Sequence, residues 1–176
     1  MVAGISIINV SSNELQMAVL KACRGIGLPI AQAQDAAAAV AASPQAIPDF
    51  LKYLRQPLQR ADFNFTNGVE VKNANILRDF AVCADAAISG APFVVIQDID
   101  KCELIIALAK HRGVVVNTQS KDLSIIDGIA PKLLFERCDI DAKDWTAIGQ
   151  FAALTYVPET DQSRLDGAGA GLSDND

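Results

Sequence analysis

Apolar positions along the chain recur first at helical spacing, then at strand spacing, and then at the two in alternation. Leu15, Ala18, Val19, Ala22 and Ile26 form one stripe at helical period, with Glu14, Lys21 and Arg24 off it. Ser11-Ser12-Asn13-Glu14 stands just before the stripe and has the Ser-x-x-Glu form of a capping box, which satisfies two orphan backbone donors at a helix start. Gly25 and Gly27 stop this helix, and Pro29 prevents its continuation. The spacing predicts a second, alanine-rich helix over 29–42. Pro44 and Pro48 bracket a short link, and a third helix over 49–57 offers Phe50, Leu51 and Leu54.

The period then changes. Residues 63–71, Phe-Asn-Phe-Thr-Asn-Gly-Val-Glu-Val, read as a β-hairpin. A two-residue Asn67-Gly68 turn would pair Phe65 with Glu70 and put the phenylalanines and valines on opposite faces. A three-residue loop, Thr66-Asn67-Gly68, pairs Phe65 with Val69 and Phe63 with Val71 on one face. The second loop is therefore expected, with Gly68 in the left-handed region.

A helix at 75–89, a strand at 93–97, a helix at 100–111 and a strand at 114–118 follow. Asp100-x-x-Glu103 is a cap-like start for the second of these helices. Val94-Val95-Ile96 and Val114-Val115-Val116 are continuous apolar runs, as strands buried on both faces require. Strand, helix and strand at this spacing predict one right-handed parallel β-α-β crossover. Residues 123–127 and 133–137 are further strand candidates. Asp141 caps a last helix reaching about Tyr156, with Trp145, Ile148, Phe151, Ala152 and Leu154 inward.

The expected fold is α/β, with α+β as the alternative. It has N-terminal helices, the hairpin, the crossover, a C-terminal helix and an ordered glycine-rich tail. No internal repeat or long linker stands out. A single domain over 1–176 is expected, with a helical part at 1–60, an α/β part at 61–156 and a Gly-rich acidic tail at 157–176.

Composition narrows the function more than it identifies it. The chain has 176 residues, 51% of them hydrophobic and 20% charged. At this length a domain buries roughly two thirds of its unfolded surface and needs no disulfide or metal staple. The net charge is -6. An acidic surface repels phosphate backbones, so nucleic acid and anionic membranes are disfavoured as partners. No apolar stretch reaches the ~18 residues of a membrane helix. The N-terminus lacks a basic region and a signal-like core, so the cytoplasm is the default location. Cys23, Cys83, Cys102 and Cys138 form no Cys-x-x-Cys pair and lie in apolar or helical settings, where a free cysteine acts as a small hydrophobe.

Candidate chemistry is sparse. His111 is the only histidine. It ends a predicted helix beside Arg112 and Gly113, where a cation complements the helix dipole. A triad needs a nucleophile, a base and an orienter within reach, so capping is the better reading. One histidine also rules out a histidine-rich transition-metal site. Gly167-Ala-Gly-Ala-Gly171 invites a phosphate-loop reading, but a dinucleotide fingerprint needs a helix after the glycines and only five residues remain. Asp166, Asp174 and Asp176 could gather oxygen ligands for a hard cation, yet their spacing matches no calcium loop. No metal and no cofactor is expected. Asp98 and Asp100 follow the 93–97 strand at its carboxyl end, the edge where open α/β sheets bind ligands. Asp100 reads as a helix cap, and Asp98 remains as a binding candidate.

Ser11-Ser-Asn-Glu-Leu15 with Lys21-Ala-Cys-Arg-Gly-Ile-Gly-Leu28 resembles the opening of a bacterial domain-of-unknown-function family. Thr155-Tyr-Val-Pro158, Ser163-Arg164 and Gly167-Ala-Gly-Ala-Gly-Leu-Ser-Asp-Asn-Asp176 are similar to that family's closing signature. The chain departs from the pattern at Leu28-Pro29-Ile30, where an aromatic residue is expected, and is shorter through the middle. The resemblance implies no activity. It does imply a tail that is a working part of the protein, which makes Ser163, Arg164, Asp174 and Asp176 binding candidates alongside Asp98.

Three readings follow. The first is a small-molecule or partner-binding module, expected to be a homo-oligomer, with its tail packed on the domain or on a neighbouring subunit. The second is an enzyme acting on a small polar metabolite with carboxylates and Arg164 from the tail. The third is a degenerate enzyme relative kept as a structural subunit.

Overall fold

A computed structural model describes residues 6–99, 101–119, 122–128 and 136–155. Strand β1, Ile7–Ser11, leads into helix α1, Ser12–Gly25. The capping box is formed. Ser11 Oγ accepts from the Glu14 N–H at 3.2 Å, and Glu14 Oε2 accepts from the Ser11 N–H at 2.7 Å. Leu15, Val19 and Ala22 of the predicted stripe are buried, Ala18 and Ile26 are partly buried, and Cys23 is buried beside them. Gly27 turns the chain at φ 86°, a conformation that favours glycine. Helix α2, Ile30–Ala42, buries Ala33, Ala36, Ala37, Ala39, Val40 and Ala41. Small side chains on that face allow close approach to α1.

A 3-10 turn, Pro44–Ala46, runs directly into α3, Ile47–Leu54. The third helix thus starts earlier than its spacing predicts. Pro48 does not bracket it but lies in its first turn, where a missing N–H costs nothing.

The hairpin consists of β2, Asp62–Asn64, and β3, Val69–Lys72, with Phe63 opposite Val71 as expected, but the ladder ends at Asn64 opposite Glu70, so the expected Phe65–Val69 pair is not part of it. One part of the expectation is corrected. Gly68 is not among the residues with positive φ. Its role is close approach, since a Cβ there would stand 2.8 Å from the Phe93 ring.

Helix α4, Ile76–Ile88, is capped by Asn75. It connects β3 to β4, Val94–Ile96, which pairs parallel with β3. Helix α5, Glu103–Arg112, then leads to β5, Val114–Gln119. Strand β6, Asp122–Asp127, returns antiparallel to both β4 and β5. The sheet order is β2-β3-β4-β6-β5. The adjacent parallel pair is β3-β4, joined by α4, a unit the spacing does not predict; the predicted strands β4 and β5 run parallel but are not neighbours. The predicted partner of β4 is displaced, because β6 lies between β4 and β5.

The start of α5 also differs. Asp100 lies outside the described residues, and the cap position belongs to Cys102, which makes no side-chain capping bond. The Glu103 N–H is instead satisfied by Asp49 Oδ2 of α3 at 2.8 Å. A carboxylate far away in sequence caps this helix.

Strand β7, Arg137–Asp141, opens at the end of the predicted 133–137 segment, whose first three residues lie outside the described ones. It leads into α6, Ala142–Ala153, capped by Asp141 through the Lys143 N–H at 2.9 Å. Ile148 and Ala152 are buried, and Trp145 and Phe151 pack partly on the core. Leu154 is not inward; it is 62% exposed, because the helix ends one residue earlier. Strands β1 and β7 pair antiparallel from Ile7 opposite Asp141 to Ser11 opposite Arg137. The pairing is reciprocal at its ends: the Ser12 N–H donates to the Glu136 carbonyl at 3.0 Å, and the Ala142 N–H to the Ser6 carbonyl at 2.8 Å. Two strand-then-helix units thus face each other about a local near-dyad. The sequence hides this, since the two strands share a burial pattern rather than residues.

Helices α4 and α5 cover one face of the five-stranded sheet. Val69, Val71, Val94, Ile96, Leu123, Ile125, Val114 and Val116 are buried beneath them, in one cluster that also includes Val10, Ile140 and Ile148. No described helix is long and apolar enough to cross a membrane.

The caps have a pH consequence. Hydrogen bonds from the Ser11 hydroxyl and then the Ser11 N–H hold the Glu14 carboxyl below its ordinary value of 4.5. The Lys143 N–H, and then the Lys143 side chain, hold Asp141 below 3.8. A carboxyl depressed in the folded state stabilises it above the unfolded value and loses that contribution as pH falls through the folded value. The melting temperature is therefore expected to fall from pH 5 to pH 3. Ser11→Ala is expected to cost about 1 kcal/mol at pH 7 and to flatten part of that fall, as thermal melts at the two pH values would show.

Candidate functional site

Of the five candidate binding residues, only Asp98 lies among those described. It lies two residues after the end of β4 and adopts φ 56°, a left-handed conformation uncommon outside glycine. Its side chain is exposed, and its N–H points at Asp122 Oδ1, 3.4 Å away at the start of β6. The Asp122 carboxylate therefore meets the Asp98 backbone at this end of the sheet. Ser163, Arg164, Asp174 and Asp176 lie outside the described residues, as do Asp166 and the Gly167–Gly171 run. Among the described residues no group of three or more His, Cys, Asp or Glu side chains is placed to hold a metal ion.

His111 sits in the last turn of α5 with Lys110 and Arg112, ahead of Gly113 at φ 73°. This is the capping position its neighbours predict, and it has a further partner. Asp35 of α2 meets His111 Nε2 at 3.3 Å and accepts from Arg112 through Nε at 3.1 Å and through Nη2. Arg112 Nη1 reaches Asp85 of α4 at 2.8 Å. The cluster ties the end of α5 to α2 and α4. The crevice beside it, between Gln32, Phe80 and Leu108, holds only about 10 Å³. That is about the space of one water molecule, so the cluster is a clamp between helices.

The thiols are not poised for nucleophilic attack. Burial pushes Cys23 up to about 12. Burial, aided by the Asp79 carboxylate, does the same for Cys83. Cys102 and Cys138 are raised chiefly by burial as well. A thiol reacts as its thiolate, and these environments disfavour it.

No protein-family model, curated protein or solved structure matches this chain.

Two surfaces are open. A groove of about 290 Å³ beside the hairpin is lined by Arg60, Ala61, Phe63, Phe65 and Val82. The rings of Phe63 and Phe65 stack there at 5.6 Å, and Phe65 is 63% exposed. The second surface is the sheet face away from α4 and α5. It presents Phe93, Val115 and Ile126, which are 40%, 39% and 50% exposed. Val115 and Ile126 are cross-strand neighbours. Alternation along β5 and β6 could have indicated this face, but the continuous apolar runs suggest burial on both sides.

Proposed function

We propose that the chain is a small-molecule or partner-binding module that works as a homo-oligomer, with residues 156–176 packed on the domain or on a neighbouring subunit. The observation that carries this reading is the bare sheet face, where Phe93, Val115 and Ile126 stand exposed together. Contiguous exposed apolar side chains mark contact surfaces more often than idle ones. The resemblance of the tail to a family's closing signature supports the same reading. Residues 156–176 contain five acidic residues (Glu159, Asp161, Asp166, Asp174, Asp176) and one basic one, Arg164, for a net charge of -4. Arg164 anchors an acidic group, and Asp174 or Asp176 meets a cation. Light scattering and thermal melts on the full chain and on a chain ended after Tyr156 test this. The shortened chain is expected to have lower mass and to melt earlier. The same number of copies and an unchanged melting temperature would overturn the reading.

A specific observation keeps a second reading in play. Asp98 holds a strained backbone beside Asp122 at the sheet end, and strained residues concentrate at functional sites. On this reading the chain is an enzyme acting on a small polar metabolite, with Asp98, Asp174 and Asp176 as bases or ligands and Arg164 as the anchor. A doubly substituted Asp174→Asn, Asp176→Asn chain that kept full function in a metabolite-profiling assay would count against it.

A further inference from the structure

Strand β2 is the last strand on its side of the sheet, and the helical layer stops short of covering it. Phe63 stands opposite Val71 and shares its face, which is buried beneath the helices. Phe63 itself is only partly buried, and Phe65, stacked on it, is exposed. Val82 of α4 lines the same groove and is 42% exposed. The groove is thus an apolar trough of about 290 Å³ with one cation in its lining, Arg60. That cation belongs to a larger feature. Between Asp49 and Asp62 the chain carries Lys52, Arg55 and Arg60 and no acidic residue. All three are exposed, and none of them makes an ion pair among the described residues. In a chain of net charge -6 this stretch stands positive and unneutralised.

We propose that this groove seats the chain's own C-terminal segment, residues 168–176, with Leu172 against Phe63, Phe65 and Val82 and the Asp174 carboxylate at Arg60. This rests on the packed-tail reading above and names where the tail packs. The groove asks for an occupant that is apolar and acidic along one side. In an extended chain alternate residues share a side. Ala168, Ala170, Leu172, Asp174 and Asp176 then fall on one side, and Gly167, Gly169, Gly171, Ser173 and Asn175 on the other. One side of the segment is therefore apolar and ends in two carboxylates. The glycines opposite carry no side chain, so they add no bulk where the segment lies along the groove.

Charge selects this segment over the chain's other stretches outside the described residues. Residues 1–5 contain no acidic side chain, Ser120-Lys121 and 129–135 carry only Lys121 and Lys132, and Asp100 stands alone. Any of the basic stretches would add positive charge beside Arg60, whereas the tail carries -4. Charge also favours the chain's own tail over a second copy, because two whole chains of net charge -6 repel. The tether allows it. Leu172 stands seventeen residues past Thr155, a reach of up to about 56 Å, against a radius of gyration of about 15 Å for a domain of this length. Helix α6, from which the tail departs, packs beside α3, and Arg60 lies six residues past the end of α3.

The test is NMR on the full-length chain and on an Arg60→Glu, Phe65→Ser variant of it. Both positions are exposed, so the native fold should tolerate the changes. The unaltered chain is expected to show nuclear Overhauser contacts from the Phe63 and Phe65 rings to the Leu172 methyls. Its backbone order parameters over 168–176 should be near the ~0.85 of rigid backbone and fall below about 0.6 in the variant. Val115→Lys, on the bare sheet face, is the control and should leave the tail's order unchanged. An ordered tail without those ring contacts, or one that keeps its order in the folded double variant, overturns the groove as the seat while the packed-tail reading survives. Order parameters below about 0.6 in the unaltered chain overturn both. In a mixture of labelled and unlabelled copies, ring contacts confined to one copy support the own-chain seat, and contacts between copies overturn it. Should the double variant fail to fold, the ring contacts in the unaltered chain decide: their presence supports the seat and their absence overturns it.

Discussion

Asp79→Ala is expected to destabilise the fold by about 3 kcal/mol, at the low end of the range for breaking a buried ion pair. Asp79 is 4% exposed on α4. It accepts from the Asn75 N–H at 2.9 Å and from Arg78 Nε and Nη2 at 2.7 and 2.8 Å. Those bonds to Asp79 hold the Arg78 guanidinium above its usual pKa. Arg78 Nη1 also donates to the Leu58 carbonyl at 3.0 Å, so the network fixes the loop between α3 and the hairpin. Removing the carboxylate leaves the Asn75 N–H buried without an acceptor, which alone costs about 1–3 kcal/mol. Arg78 is 20% exposed and is partly rehydrated, which keeps the total from rising further. At about 2–4 °C per kcal/mol for a chain of this size, the melting temperature should drop by roughly 6–12 °C. Asp85→Ala is the control. Asp85 also pairs with an arginine, but it is 61% exposed. Exposed pairs contribute about 0–1 kcal/mol, so that variant should melt within about 4 °C of the original.

Two helical glycines are expected to respond to alanine with opposite signs. A Cβ at Gly149 of α6 meets nothing within 4 Å. Gly149→Ala should therefore stabilise by about 0.5–1 kcal/mol through lost unfolded-state freedom. The same gain is available at Gly25, but a Cβ there would stand 2.1 Å from the Phe151 carbonyl oxygen and 3.1 Å from Leu154 Cβ. The first obstacle is backbone, so relief requires α1 and α6 to move apart. Overpacking of this kind costs about 1–3 kcal/mol and sometimes more, which outweighs the propensity gain. Gly25→Ala should destabilise by about 2 kcal/mol. Parallel denaturant melts of the two variants would show the reversal, and equal shifts would contradict the close α1–α6 contact.

These contacts also show where the sequence was informative. Helices α1, α4 and α6 were legible because their signals are local: Ser11 with Glu14, Asn75, and Asp141 each cap within a few residues. The Phe63–Val71 register was legible because a one-residue slip would move every side chain to the wrong face. What was missed depends on partners distant in the chain. Asp49 caps α5 from 54 residues away, and Asp35 holds His111 and Arg112 from 76 and 77 residues away. No window of sequence contains such pairs. The insertion of β6 between β4 and β5 is equally non-local, since β4 and β5 have the same apolar runs whether adjacent or separated. Glycine commonly supplies positive φ, so the pattern predicts a turn conformation at Gly68. Here it is needed for the space under Phe93.

The candidate site was legible only in part. Asp98 could be placed at a strand's carboxyl end from the pattern alone, and its pairing with Asp122 required knowing which strand lies beside β4. The Phe63–Phe65 groove needs Arg60 and Val82 brought together by the hairpin and α4. The bare face of Phe93, Val115 and Ile126 appears only once the helices are known to lie on one side.

The central claim is that the acidic glycine-rich tail is a packed, working part of the protein. Backbone ¹⁵N relaxation of residues 163–176 in the full-length chain tests it most directly. The account predicts order parameters near the ~0.85 of rigid backbone through Ser163, Arg164 and the Asp174–Asp176 end. Values below about 0.6 across that stretch would contradict it.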